Sequence, residues 1–466
     1  MSVPNTKTIG QLKKSGYQSR SVKQEIRENL IDKIDKGDST FPGIVGFDLT
    51  VIPQLENALI AGQDIILLGE RGQAKTRILR QLTSLLDEYV PVIEGCDIND
   101  DPLSPICHQC IGLICDKGDS VAIGWLGREK RYSEKLATPD VSVADLVGEI
   151  DPIKIAEGRH LSDEDAIHFG MIPRSHRSVF CINELPDLSE RIQVSLFNLL
   201  QERDIQIKGY QIRLPLDLFL VATANPEDYT NRGRIITPLK DRYGSQIRTH
   251  YPSTLAQELQ IVDQERRRFE DVEDKVDVPG FMKTLIAMFT QLARRSPEIN
   301  QRSGVSLRVT ISNYETLLAQ AFRRSVRQGV KSSPRISDLE FLTASTIGKL
   351  ELETVEEGKE GEIINGILQR AILNTFNEVM EREQLTKLLE SIDDGMTIEV
   401  GTDRPDDEYV EAINKVEGME DLLAKLADST NISMKVAAFE FILEGLYLNK
   451  LINKALNGSE GVYSQK

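Results

Sequence analysis

The sequence predicts an α/β protein: a mostly parallel sheet with helices on both faces, then an α-helical lid and a C-terminal helical region. Three observations predict this. Short apolar runs at 64–69, 178–183 and 216–225 have the length and make-up of strands buried on both faces. Amphipathic helical patterns follow the first two, the alternation that a parallel sheet needs for its crossovers. From about residue 252 onward the apolar spacing is almost entirely helical.

Taken in order, the polar first 40 residues contain one helical pattern, "SVKQEIRENLIDKID". "FPGIVGFDLTVIPQLENAL" leads through a helix into "DIILLG", a strand that stops at Gly69. Beyond the next turn, Ile78, Leu79, Leu82, Leu85 and Leu86 share one helical face. "SVFCIN" (178–183) is a strand, and "SERIQVSLFNLLQERD" is the amphipathic helix after it. "IQIKGYQIRL" (205–214) reads as a hairpin turning at Lys208-Gly209, or as an ordinary extension of the sheet. "LDLFLVATAN" (216–225) is the third strand. Helices follow at 254–269, 281–295 and 310–329, and "MKVAAFEFILEGLYLNKLINKAL" (434–456) reads as one long helix with a broad apolar face. The expected divisions are an N-terminal helical extension (1–40), an α/β core (41–251) with a cysteine-bearing insertion at 96–115, a helical lid (252–350) and an acidic helical region (351–466).

With 466 residues the chain is too long for a single ordinary core. Its 40% hydrophobic and 28% charged content is that of a soluble globular protein. No apolar run is long enough to span a membrane, and the N-terminus lacks the apolar centre of a signal peptide, so the expected location is cytoplasmic. The net charge is −17, and residues 351–466 account for most of it, with 25 acidic against 11 basic side chains. So acidic a chain is a poor non-specific binder of nucleic acid, whose phosphates demand clustered Lys and Arg. The acidic tail is a solvated surface or a docking face for a basic partner.

The chemistry-bearing residues begin with "LLGERGQAKTR" (67–77), close to the phosphate-loop pattern G-x-x-x-x-G-K-[ST]. Gly69, Glu70, Arg71, Gly72, Gln73, Ala74, Lys75 and Thr76 would form the cradle. Backbone N–H groups wrap the phosphates, Lys75 neutralises the terminal ones, and the Thr76 hydroxyl holds Mg²⁺. Ala74 replaces the usual glycine, which is tolerable if the backbone there is near-helical. The plain alternative is a strand-to-helix turn with an incidental lysine. Asn183 and Glu184 close the second strand: the carboxylate can deprotonate an attacking water, and the amide can assist the metal without bringing it negative charge. Asn225 closes the third strand, either between γ-phosphate and water or merely as a turn residue before Pro226. Arg242 in "PLKDRYG" and Arg308 in "SGVSLRVTISNYETL" stand where cations could meet a transferring phosphoryl group.

Cys96, Cys107, Cys110 and Cys115 have the spacing C-x10-C-x2-C-x4-C. Four thiolates suit structural zinc, and His108 inside the pair could replace one of them. Reduced cysteines without metal, an iron–sulfur cluster and a redox switch remain open. Cys181, inside a strand, reads as a small apolar residue.

In this order the motifs resemble the AAA+ ATPases, and within them the magnesium-chelatase I subunit and the MoxR group. The resemblance covers roughly residues 40–345. "GERG" at 69–72 is similar to the chelatase loop and "AKT" at 74–76 to the MoxR version. The segment 44–59, with Val45 and Gly46, is similar to the one these families place over the adenine. The hairpin 205–214 and the segment 143–185 resemble their two insertions. The resemblance implies an AAA+ P-loop core, ATP with Mg²⁺ as cofactors, and a homo-oligomeric ring, commonly a hexamer. Arg242 would act on the neighbouring subunit's nucleotide and Arg308 on its own. The implied partner is a protein with a von Willebrand A domain, and the implied function is an ATP-hydrolysing motor that remodels it. Two rival expectations stand beside it: a true magnesium-chelatase subunit driving Mg²⁺ into a porphyrin, and a nucleotide-gated binding module with little hydrolysis.

Overall fold

The computed structural model describes residues 3–151, 153, 156, 166–201, 214–225, 234–353, 358–381, 397–428, 430–457 and 460–465. The chain forms two compact units, Met1–His250 and Tyr251–Lys466. The first contains strands β1 (Ile65–Leu68), β2 (Tyr89–Ile93), β3 (Ile123–Gly127), β4 (Tyr132–Leu136), β5 (Gly148–Ile150), β6 (Ile167–Phe169), β7 (Ser178–Asn183), β8 (Leu218–Ala224) and β9 (Ser245–Arg248). Five of them make one sheet in the order β4-β7-β8-β1-β9, with every pair parallel. The three strands expected from the sequence are its centre. The hairpin expected at 205–214 lies almost wholly outside the described residues, as does much of the insertion within 143–185.

The uninterrupted apolar character of β7 and β8 has a direct cause: all of their residues are buried, because both faces of the sheet are covered. Phe180, Ile182, Leu220 and Ala222 enter one core layer, with Ile192, Leu196 and Leu199 of the helix Glu190–Gln201. Val179, Cys181, Phe219 and Val221 enter the other. That layer is closed by the helices Val22–Lys36, Val51–Ile60 and Lys75–Gln81. Cys181 is buried there as a small apolar residue.

The N-terminal helix Val22–Lys36 is built into this layer. Ser21 caps it by accepting the Gln24 N–H, and Gly37, at φ 72°, ends it in the left-handed conformation that glycine adopts without strain. Glu25 and Arg131 form a two-pronged ion pair at 2.6 and 2.7 Å, with both side chains buried. Arg131 also donates through Nε to the Arg177 carbonyl at 2.9 Å and stands immediately before β4. The pair therefore fixes the helix to the edge of the sheet.

In the second unit a continuous apolar core joins the helices Leu255–Glu265, Gly280–Ala293, Leu307–Gln328, Glu360–Val379 and Ile432–Leu448. Phe441 stacks on Phe281 with 4.4 Å between ring centroids and meets Phe376 edge-on. A side chain at Gly445 would enter the Phe376 ring, so the helix needs glycine there. The apolar stretch 434–456 is not one helix. The helix stops at Leu448, Lys450 takes a positive φ of 62°, and the chain continues as a strand. Strands β10 (Thr397–Val400), β11 (Ile452–Asn457) and β12 (Glu460–Gln465) form an antiparallel sheet in the order β10-β12-β11. β11 and β12 pair from Ile452 opposite Gln465 to Asn457 opposite Glu460.

Candidate nucleotide site

In a parallel sheet all strand ends of one kind lie on one edge. Ligands of open α/β sheets bind beyond the carboxyl ends. Leu68 is paired with Ala224, and Leu136 with Asn183, so Gly69, Glu184 and Asn225 leave the sheet along the same edge. Gly69 N–H donates to the Ala224 carbonyl at 3.1 Å, which joins the loop to the end of β8.

The loop 69–76 is braced from within. Gln73 Oε1 accepts from the Glu70 N–H at 3.1 Å and from the Thr249 hydroxyl at 2.7 Å. A Cβ at residue 69 would collide with both Thr249 Oγ1 and Gln73 Oε1, so only glycine fits. Lys75 turns back into the loop. Its ammonium donates to the Gly69 carbonyl, to the Glu70 carbonyl at 2.8 Å and to Asn225 Oδ1 at 2.8 Å. These three acceptors are neutral oxygens, weaker partners for an ammonium than anionic phosphate oxygens. Thr76 follows in the first turn of the helix Lys75–Gln81, whose amino end carries positive dipole charge. Cradle, lysine and hydroxyl together fit a metal-bound nucleotide phosphate chain.

Ala74 is not near-helical as the sequence reading required. It has φ 55° and ψ 11°, in the left-handed region. The loop geometry demands the backbone that a glycine would supply, and the alanine accepts it at the cost of strain. Glu184 does the same, with φ 57°. Strained non-glycine residues collect at functional sites because the surroundings over-determine them, and two flank this edge.

Around Glu184 the polar groups form one directed chain. Its N–H donates to Thr223 Oγ1 at 3.0 Å, and the Thr223 hydroxyl donates to Asn183 Oδ1 at 3.2 Å. Asn183 Nδ2 donates to Glu134 Oε1, a carboxylate on β4. Sequence reasoning missed Thr223, Thr249 and Glu134. The two threonines sit at or just past strand ends and could have been found by asking what braces the loop. Glu134 carries no motif signal and becomes visible only through the pairing of β4 with β7.

The structure unites Gly69–Thr76, Asn183, Glu184 and Asn225, but Arg242 stands apart from them. It ends the helix Thr237–Arg242, three residues before Ser245, which pairs with Ile65 at the amino end of β1. Its guanidinium lies over the Phe197 ring at 4.6 Å and donates to the Pro238 carbonyl at 2.7 Å. Arg308 is exposed in the first turn of Leu307–Gln328, in the second unit. Val45 and Gly46 are half-buried ahead of Val51–Ile60, and Gly46 has φ 80°.

The cysteine group is partly reassembled. Sulfurs of Cys96, Cys107 and Cys110 and a carboxylate oxygen of Asp100 lie within 4.8 Å of one another. Cys115 is exposed and outside the group. Five residues past Cys110, it points about 140° away around the helix His108–Lys117. His108 is also exposed. Cys107 caps that helix, its sulfur accepting the Cys110 N–H at 3.3 Å, and Cys96 Sγ accepts the Asp100 N–H at 3.4 Å. Hydrogen bonds from the Cys107 and Cys110 thiols pull the Cys96 thiol far down, making it the first of the three to ionise. His176 Nε2 stands 3.9 Å from Asp100, and burial pushes the imidazole down to about 4, so it stays neutral.

No family model matches the chain. Among curated proteins, a magnesium-chelatase subunit ChlI homolog of Methanocaldococcus jannaschii is 28% identical over 214 residues, 44% of this chain and 53% of that protein. The match thus spans about half the length of that relative. ChlI of Nostoc is 26% identical over 285 residues, 58% of this chain and 70% of its own. ChlI of Cyanidium caldarium is 21% identical over 381 residues, 78% of this chain and 95% of its own. The chain thus resembles magnesium-chelatase I subunits. Its first unit is an α/β core built on a parallel sheet, and the second unit is mainly helical. A solved complex of the magnesium-chelatase subunits BchI and BchD covers 70% of this chain and 98% of that chain at 20% identity, with a TM-score of 0.36. Among the described residues no helix is long and apolar enough to cross a membrane.

Proposed function

We propose that the chain binds ATP with Mg²⁺ on the loop 69–76 and hydrolyses it as the motor of a homo-oligomeric ring that remodels a partner protein. The observation that carries this reading is the convergence of Lys75, Asn225, Asn183 and Glu184 on one edge of a parallel sheet. Bound ATP with Mg²⁺ supplies the phosphoanhydride bond and the charge around which the site is arranged. Lys75 exchanges its carbonyl partners for phosphate oxygens, and Thr76 presents its hydroxyl to the metal. Asn183 assists on the metal side. Glu184, held in a strained backbone by Thr223, takes a proton from water, and Asn225 orients that water. The place of Arg242 at the opposite end of β1 supports a role on a neighbouring subunit's nucleotide in a ring, commonly a hexamer. For Arg308 the role follows from the resemblance alone: action on the chain's own nucleotide. The partner class follows from the resemblance alone: a von Willebrand A domain protein.

Steady-state ATPase assays of wild type and Glu184→Gln test the reading. Loss of a general base is expected to lower turnover by roughly 10²–10⁴-fold while nucleotide affinity holds. A wild type no faster than this variant would favour a nucleotide-gated binding module, the reading that Asn183 motivates. A true magnesium-chelatase subunit is distinguished by porphyrin metallation on mixing with chelatase partner subunits.

The proposal includes a structural zinc on Cys96, Cys107 and Cys110, with Asp100 in place of Cys115. Zn–S bonds of about 2.3 Å give a tetrahedron with edges of roughly 3.8 Å, inside the observed spread. Metal analysis of the purified protein should find one zinc per chain, retained in Cys115→Ser and lost in Cys107→Ser. A metal-free protein with full stability would end the idea.

A further inference from the structure

Position 183 carries an amide where a metal–nucleotide site gains from negative charge. The neighbouring strand supplies a carboxylate. Glu134 lies on β4 with its side chain 23% exposed, and its Oε1 accepts from Asn183 Nδ2. Both of its oxygens also accept from Arg80, at 3.0 and 3.2 Å. Arg80 is four residues after Thr76 on the same helix, so the ion pair lies one turn along the face that presents the Thr76 hydroxyl.

Building on the nucleotide reading above, the geometry points to Glu134 as a positioning residue for the metal side of this site. Its charge, one strand away, compensates for the missing acid at position 183. A carboxylate can only accept, so it fixes the Asn183 amide with Nδ2 toward β4 and Oδ1 toward Thr223. Thr223 is thereby obliged to donate to Asn183 and to accept from the Glu184 N–H. The Glu134 carboxylate thus sets the direction of every hydrogen bond from β4 to the backbone of Glu184. A merely structural Arg80–Glu134 pair would need no such chain on its far side.

The test is fluorescence anisotropy of N-methylanthraniloyl-ATP, titrated with Mg²⁺ and separately in EDTA. Glu134→Gln should raise the Mg²⁺ midpoint about tenfold, the usual lower bound for losing a partner of a metal ligand, with affinity in EDTA unchanged. Adding Asn183→Asp to that variant moves the charge to position 183 and should restore the midpoint. Arg80→Ala breaks the ion pair but leaves the charge, and the midpoint should stay. Glu134→Asp keeps the charge on a shorter stem and gives a second, milder probe, expected to shift the midpoint less than the glutamine. An unmoved midpoint in Glu134→Gln would overturn the assignment. So would an equal loss of affinity with and without Mg²⁺, or failure of the double variant to recover. A wild-type protein that binds the analogue in neither condition would overturn the nucleotide reading itself, a different result from binding with an unmoved midpoint.

Discussion

The buried charges of the second unit and the polar groups at the carboxyl edge of the first unit's sheet are held differently. In the second unit Arg324 meets both Asp338 oxygens at 2.8 and 2.9 Å and also takes the Thr402 and Ser333 carbonyls. Arg335 reaches Asp406, and Glu440 accepts from the Ser337 N–H at 2.8 Å. Arg324 and Arg335 face carboxylates there, on an ordinary backbone. At the carboxyl edge of the first unit, Lys75 donates to the Glu70 carbonyl and Asn225 Oδ1, and Ala74 and Glu184 are held in left-handed backbone. The contrast separates two uses of polar groups. Guanidinium–carboxylate pairs hold elements together, whereas groups gathered on strained backbone are kept ready for something else.

The contrast can be broken from either side. The largest effect on folding is expected for Asp338→Ala, which leaves Arg324 buried without its carboxylate. Chemical denaturation should show a loss of about 3–5 kcal/mol. A loss below 1 kcal/mol would mean that the second-unit network is no more structural than the loop. Lys75→Ala should do the reverse. Nucleotide affinity, read by anisotropy, should fall by about 100-fold, roughly two charge-assisted contacts, with little change in melting temperature. A large drop in melting temperature with affinity retained would make Lys75 a structural residue. The smallest effect belongs to Ala74→Gly, which relieves the strain and should raise stability by up to about 1 kcal/mol. A destabilising glycine would show that the alanine methyl is held by packing.

Much of the core was legible because its strands are buried on both faces and so appear as uninterrupted apolar runs, as "SVFCIN" does for the whole of β7. The groups at the ends of those runs, Lys75, Asn183, Glu184 and Asn225, could be named for the same reason. What escaped depends on neighbours distant in sequence. Glu134 becomes visible only when β4 lies beside β7. Thr249 matters because it fills the space that a side chain at Gly69 would need. Cys115 was grouped by sequence distance, but helical rotation carries it away from its fellows. The strand after Leu448 was hidden because an apolar run does not reveal its period once it is short. Local spacing also cannot give the sign of φ at Ala74, which is set by how the loop closes on Gln73 and Thr249.

The Glu25–Arg131 pair has a practical consequence for anyone preparing the protein. Trimming it back to residue 40, a natural choice for isolating the α/β core, would strip away Glu25 and leave the Arg131 guanidinium without its carboxylate. It would also uncover the apolar layer that Val22, Ile26 and Leu30 close. Such a fragment should go to inclusion bodies, and its inactivity would report on the truncation rather than on the chemistry of the remaining chain.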